Sequence, residues 1–545
     1  MLWREQVYIF KNEPWVHQRK ALEVSWNKTY FALLMDYGTG KTKVIIDNAG
    51  ILFEQKGAID ALFIIAPNNV HKQWVLEQIP EHLPERIPRI CRVWTGEDTI
   101  KFKKSLEDFW SDRNKNKLKI FSINVEAFQS SIRAQTFSKN FLKAFRSMLV
   151  IDESTRIKTP GTKRTTFIIN NLSKIAPYRR TLTGNEITRS PFDIYSPYLF
   201  LSDSFWDPIP NYHIFTHKYA EWKKNFTFRK NIKVKDFHCP ECRKYLETIN
   251  IKRMEGFVFA VCSLCNQVLK IGGLPSKVRK LVESGGKFEY PTLLKYRNLD
   301  ELRQKISSHS FQVRKEDCMD LPPKVYSPIY TEMNEEQKRI YKELKDNLFT
   351  VYQESELTVP NKIALTTRFQ QIVGGFFPET NKQIGENNPK IDRLIYDLED
   401  IDTPDPIIIW ARFVIEIQEI AKRLKQEYPG KRIVTFYGET KKQDRAQIIE
   451  DFKNGQVDFF VANTMVAGTG LNLQRAYLQY YYSNSFMAED RWQSEDRSHR
   501  GGQTHTCLYK DIWIKGTVDD TVMKANSTKK NLAEFFKDHS IKELV

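Results

Sequence analysis

No apolar run in this 545-residue chain approaches a membrane span. Apolar runs such as Ile407-Ile408-Ile409-Trp410 are a fraction of the ~20 residues that a spanning helix needs. The opening Met1-Leu2-Trp3-Arg4-Glu5-Gln6 carries charges where a secretory leader requires an apolar core, so a soluble cytoplasmic protein is expected. Low-complexity tracts are absent, and the composition, 41% hydrophobic and 28% charged, is that of an ordinary folded protein. Cysteine is scarce, at seven residues, and nothing else points to an oxidising compartment. Acidic residues are also in deficit: 67 Asp and Glu face 84 Lys and Arg, a formal charge of +17.

That excess attracts polyanions, nucleic acid first among them, although a lysine-rich surface kept for solubility has the same composition. Two stretches sharpen the case. Lys218 to Lys230 interleaves cations with Tyr219, Trp222, Phe226 and Phe228, and Lys277-Val278-Arg279-Lys280 opens a second basic segment. Cations neutralise phosphates and aromatics pack on sugars or bases, while aromatics at this spacing also serve as core. Four of the seven cysteines form Cys239-Pro240-Glu241-Cys242 and Cys262-Ser263-Leu264-Cys265. Paired CxxC knuckles at this separation are those of a tetrahedral zinc site, and four thiolates leave no open position for catalysis.

The most informative stretch is Asp36-Tyr37-Gly38-Thr39-Gly40-Lys41-Thr42, between the apolar Phe31 to Met35 and the helix-like Lys43 to Asp47. Strand, glycine-rich turn and helix in that order gather backbone N–H groups and a helix N-terminus around one anion. Gly38, Thr39 and Gly40 then form a phosphate-binding loop, Lys41 reaches the outer phosphates of ATP, and the Thr42 hydroxyl holds Mg²⁺. A second strand, Met148 to Ile151, ends in Asp152-Glu153. Asp152 is placed to hold the metal through its water shell, and Glu153 to orient and deprotonate the attacking water.

The length calls for two or three domains. Alternating strands and helices over 1–205, with strands near 31–35, 61–66, 118–123, 148–151 and 179–183, predict a parallel-sheet lobe. Residues 206–290 break the pattern and read as a basic insertion carrying the cysteines. Residues 291–384 read as mostly helical up to about 355, with a loop near 350–361. Residues 385–545 read as a second parallel-sheet lobe with a closing helix and no phosphate loop of its own. Such a lobe supplies residues across a cleft. Gln493, Arg497 and Arg500 fall on one face if they are helical, offering two guanidinium groups to a γ-phosphate.

Taken in order, these motifs resemble the Swi/Snf-type ATPases of helicase superfamily two. Trp15-Val16-His17-Gln18 is similar to the upstream glutamine motif, Ala66-Pro67 with Trp74 to motif Ia, Asp152-Glu153-Ser154-Thr155 to motif II, and Leu182-Thr183-Gly184 to motif III. Arg314-Lys315-Glu316-Asp317 followed by Leu321-Pro322-Pro323-Lys324 matches the stretch that marks the Swi/Snf branch. Thr464 to Leu473 resembles motif V, and Gln493 to Gln503 motif VI. The resemblance implies two RecA-like lobes, Gln18 on the adenine, Gly468 and Gly470 at the nucleotide, and DNA-stimulated ATP hydrolysis driving movement on duplex DNA. Asn185-Glu186 and Arg189 depart from the family's motif III, and Ser154-Thr155 replaces its Ala-His. The compact chain with a zinc ribbon looks bacterial or phage-like, with a replication, recombination or repair protein as a further partner. Two rivals stay open: a strand-separating DNA or RNA helicase, and an ATP-gated recruitment or loading factor that does not travel.

Overall fold

The computed structural model describes residues 8–68, 70–184, 190–228, 230–254, 257–352, 355–358, 362–467 and 471–527. Asn69, Asn185, Glu186, Arg189, Arg229, Gly468, Thr469 and Gly470 lie outside them. The chain divides into two compact units, Met1–Trp206 with His309–Val545, and Asp207–Ser308.

Among the described residues, the larger unit holds two large parallel sheets and one two-stranded hairpin. In the first, strands Tyr30–Met35, Ala61–Ala66, Leu118–Asn124 and Ser147–Asp152 are largely apolar and buried along nearly their whole length. Burial on both faces is the signature of parallel strands covered by helices. Seven strands lie in the order Ser310–Val313, Tyr30–Met35, Tyr178–Thr183, Ser147–Asp152, Ala61–Ala66, Leu118–Asn124, Arg89–Val93, and all pair in parallel. The phosphate loop and Asp152-Glu153 therefore leave the same edge of one sheet, where ligands bind in such folds. The second sheet runs Lys324–Thr331, Cys507–Ile514, Leu478–Tyr481, Ile407–Trp410, Phe459–Ala462, Ile433–Phe436, again parallel throughout.

The helical reading of 295–355 is corrected. Two helices do form there, Leu299–Ser307 and Glu335–Asn347. Between them Ser310–Val313 adds an edge to the first sheet, because Phe311 and Val313 pack into its core. Lys324–Thr331 then adds an edge to the second. Pro328 is tolerated there, since an edge strand can leave a missing N–H on its open side. The loop expected near 350–361 contains a short hairpin, Phe349–Tyr352 with Ser355–Thr358. Residues 314–323 are consequently the whole passage from one sheet to the other.

The smaller unit extends to Ser308, beyond the expected limit at 290, because strand Lys287–Tyr296 pairs antiparallel with Ala220–Phe228. This unit also holds a three-stranded antiparallel sheet of Asn231–His238, Tyr245–Met254 and Phe257–Cys262. Its core is small, built on Leu246, Ile249, Ile251, Val278 and Leu281 around Cys239 and Cys262.

Candidate nucleotide cleft

The phosphate loop adopts a backbone that its glycines make available. Gly38 and Gly40 have φ of 80° and 79°, the left-handed region that side chains with a Cβ avoid. A Cβ on Gly40 would lie 2.0 Å from Gln18 Nε2, and one on Gly38 would lie 3.3 Å from Arg500 Cβ. Helix Lys41–Glu54 starts directly after Gly40 with no side chain capping it, so its first-turn amides remain available to an anion. From behind, His17 Nε2 lies 2.8 Å from the Thr39 carbonyl, and Gln18 Nε2 donates to the same oxygen at 3.1 Å. Gln18 Oε1 accepts from the Trp15 amide. Gln18 thus braces the loop.

Lys41 Nζ donates to the Met35 and Asp36 carbonyls at 2.6 and 3.0 Å. Burial pushes its ammonium below the usual lysine range, against the pull of Glu153, Asp152, Asp36 and Asp496. Asp152 takes a hydrogen bond from Trp74 Nε1 at 2.8 Å, and burial raises its carboxyl to about 6 despite that donor. Glu153 has a φ of 57°, a left-handed conformation unusual for a residue with a Cβ. Its Oε1 accepts from the Thr155 and Thr183 hydroxyls at 2.9 and 3.2 Å, and its Oε2 from the Tyr37 hydroxyl at 3.1 Å.

The second sheet brings Gln493, Arg497 and Arg500 to this edge, with a correction to their setting. The helix covers Ala488–Glu495 only, so the two arginines lie in the turns after it. The helix stops as the backbone tightens: the Arg497 amide bonds Ser494 O, and the chain then reaches Gly501-Gly502. Gln493 Nε2 donates to the Tyr37 hydroxyl at 3.1 Å, and Arg497 Nε to Gln493 O at 3.0 Å. Neither guanidinium has an ion-pair partner among the described residues. Burial first, then the neighbouring charge of Arg500, pushes Arg497 below its ordinary range. Two cations held near each other, neither in an ion pair, favour an anion between the lobes.

Lys315, in the passage between sheets, ties both sides together. Its amide donates to Asp36 Oδ2 at 2.9 Å, while its ammonium donates to His499 O at 2.8 Å and pairs with Asp496. Sequence reasoning assigned no site role to Tyr37, Thr155, Thr183 or Lys315. The signal for Tyr37 was a large aromatic inside a phosphate loop; the others acquire partners only in the fold. A separate cavity of about 310 Å³ lies between the lobes, lined by Pro67, Asn68, Glu126 and Arg156 from the first and Gly438, Arg445, Met465 and Val466 from the second.

In the smaller unit, the sulfurs of Cys239, Cys242, Cys262 and Cys265 all lie within 4.8 Å of one another. The Cys239–Cys265 and Cys242–Cys262 separations are 3.8 and 3.9 Å. A tetrahedron with Zn–S of about 2.3 Å has edges near 3.8 Å, so the four thiols fit that ion. This unit carries twenty Lys and Arg against ten Asp and Glu, so 102 residues hold +10 of the chain's +17. Among the described residues, no helix is long and apolar enough to cross a membrane.

Residues 17–373 match the SNF2-related domain family, and residues 389–502 match the helicase conserved C-terminal domain. A Mycoplasma pneumoniae protein named as an uncharacterized ATP-dependent helicase is 26% identical over 216 residues, 39% of this chain and 21% of that protein. The human SWI/SNF-related matrix-associated actin-dependent regulator of chromatin subfamily A containing DEAD/H box 1 is 27% identical over 132 residues, 24% of this chain and 13% of that protein. The aligned stretches therefore span about a fifth or less of these curated relatives. The solved Sulfolobus solfataricus SWI2/SNF2 ATPase core in complex with dsDNA aligns over 99% of this chain and 97% of that one, at 20% identity and a TM-score of 0.37.

Proposed function

The chain belongs to the SNF2-related family, and from that membership and the geometry of the cleft we propose an ATP hydrolase that moves along double-stranded DNA without fully separating its strands. One juxtaposition carries the reading: Gln493, Arg497 and Arg500 of the second sheet stand against Tyr37 and Gly38 of the phosphate loop on the first. A site assembled from two bodies can open and close around a substrate, which is how hydrolysis drives movement.

In this reading the loop amides of Gly38 to Gly40 and the Lys41 ammonium bind the phosphates of ATP, and Gln18 supports the loop from the adenine side. Thr42 and Asp152 would hold Mg²⁺, which neutralises charge on the phosphates. Glu153, fixed by three hydroxyl donors, orients the attacking water and accepts its proton. Arg497 and Arg500 stabilise the charge that develops on the phosphoryl group. Gly468 and Gly470 of motif V are assigned to the same nucleotide. The cavity lined by Pro67, Asn68, Glu126, Arg156, Arg445 and Met465 would take the DNA backbone on Arg156 and Arg445, with Glu126 as the one carboxylate in its wall.

The four cysteines would bind one structural Zn²⁺, and the basic unit around it would add a second grip on DNA. If Cys239→Ser with Cys242→Ser leaves DNA affinity unchanged, the second grip is wrong.

The deciding experiment is steady-state ATP hydrolysis without nucleic acid and with single-stranded DNA, duplex DNA or RNA, with Glu153→Gln as the blank. Stimulation by duplex alone, followed by ATP-dependent displacement of a third strand from a triplex, is the expected result. Preference for single strands or RNA would move the assignment to an unwinding helicase. Duplex stimulation without triplex displacement would identify an ATP-gated DNA-binding factor.

A further inference from the structure

A second side chain that joins the two halves of the cleft, beside Lys315, is Tyr37, to which motif-level reasoning gives no task. Its ring lies against the backbone of Gly184, where a Cβ would come within 2.8 Å of the ring. Gly184 thus accommodates the ring at the end of strand Tyr178–Thr183. The Lys41 ammonium sits 5.0 Å from the ring centroid. With the ring held in this way, the hydroxyl makes two directed hydrogen bonds. It accepts from Gln493 Nε2 at 3.1 Å and donates to Glu153 Oε2 at 3.1 Å.

The environment of Glu153 makes the second bond consequential. Oε1 is held from within the first lobe by Thr155 and Thr183. Oε2 takes its donor from Tyr37, and Tyr37 is the link that reaches the second lobe. Amide, phenol and carboxylate therefore form a one-way chain of donors from Gln493 to Glu153. Burial, then the nearby charges of Glu153 and Glu489, push the phenol well above its ordinary range, so it keeps the proton it donates.

We propose that Tyr37 is a positioning residue that couples the approach of the second lobe, through Gln493, to the orientation of the Glu153 carboxylate. The proposal rests on the ATP-hydrolase reading above. It gives one hydroxyl group a share in the dependence of hydrolysis on lobe closure, beside the Lys315 tie and separately from the arginines.

The test is Tyr37→Phe, which keeps the ring on Gly184 and deletes only the hydroxyl, together with Gln493→Ala and the double variant. In single-turnover and steady-state ATP hydrolysis with DNA, Tyr37→Phe should lower kcat about tenfold or more, the scale of one hydrogen bond to a charged group. KM for ATP, the affinity for a fluorescent ATP analogue and Tm should stay at wild-type values, which a merely structural defect would not permit. Gln493→Ala should lower kcat comparably, and the double variant should fall no further than the worse single one, because the three groups act as one chain. A Tyr37→Phe kcat within about twofold of wild type, less than half a kcal/mol, overturns the proposal. So do single effects that multiply in the double variant. A wild-type chain with no turnover above the Glu153→Gln blank removes the hydrolase reading itself, and this inference with it.

Discussion

Arg497 and Arg500 are two half-buried guanidinium groups without a carboxylate partner among the described residues, and each is pushed below its ordinary range by burial. Such groups destabilise one another until an anion arrives, so their worth appears in the reaction and not in the fold. Arg497→Ala should lower kcat by about 10³ or more, the range for an arginine acting on a transferring phosphoryl group. Arg497→Lys should rescue little, because a point charge cannot reproduce the planar fork. Single-turnover hydrolysis at saturating ATP checks both. An unchanged rate in Arg497→Ala would remove Arg497 from the site.

At the level of elements, a helix packed on the second sheet carries a buried carboxyl whose ionisation opposes folding. Glu416, in helix Val414–Glu427, accepts hydrogen bonds from the Ser483 hydroxyl and the Phe413 amide, while its Oε1 has no hydrogen-bond partner among the described residues. Burial raises it to about 7. The unfolded chain ionises this group near its ordinary value, so stability from it is greatest below that value and is lost as pH rises towards 7. The loss is about 3 kcal/mol at roughly 1.4 kcal/mol per unit. Glu416→Gln should flatten the fall in Tm between pH 5 and 8, as thermal scans would read. The cysteine knuckles form a second such element. Their core is small, so a metal ion on the four thiols would add stability to the three strands packed around it. If the knuckles hold the proposed Zn²⁺, Cys262→Ser should release one equivalent of it, read by a metal-binding dye, and expose strands Tyr245–Met254 and Phe257–Cys262 to hydrogen exchange while the larger unit stays protected.

For the whole molecule, charge is the governing quantity. More than half of the net +17 resides in Asp207–Ser308, so duplex affinity should fall steeply with salt. Reversing Lys233, Lys235, Lys252 and Arg253 to glutamate should reduce the slope of log affinity against log salt by about 0.9 for each phosphate no longer neutralised. Basal ATP hydrolysis should remain as it was. An unchanged slope would assign DNA binding wholly to the larger unit. Lys315 sets a second whole-molecule expectation, since it holds Asp36 of the phosphate loop and Asp496 of the second lobe together. Lys315→Met should reduce the stimulation by DNA more than the basal rate, as paired assays would show, because it removes a tie between the lobes additional to Tyr37.

Much of this is legible in the residues themselves. The apolar runs ending at Met35 and Asp152 announce parallel strands because burial on both faces demands continuous hydrophobicity, and Gly38 and Gly40 announce the loop because only glycine takes its backbone at little cost. Strands Ser310–Val313 and Lys324–Thr331 lie in a stretch whose pattern reads as helical, since short edge strands owe their form to the neighbour that pairs with them and not to their own periodicity. The order of residues alone establishes the chemistry available: a phosphate loop, paired carboxylates, a Gln-Arg-Arg constellation, four thiols and an excess of positive charge. Which of these meet is settled by packing. Tyr37 touches Gln493 across 456 positions of chain, and Lys315 touches Asp496 across 181. Pairs so distant along the chain leave no local pattern, because they are set by how two sheets pack and not by the residues on either side.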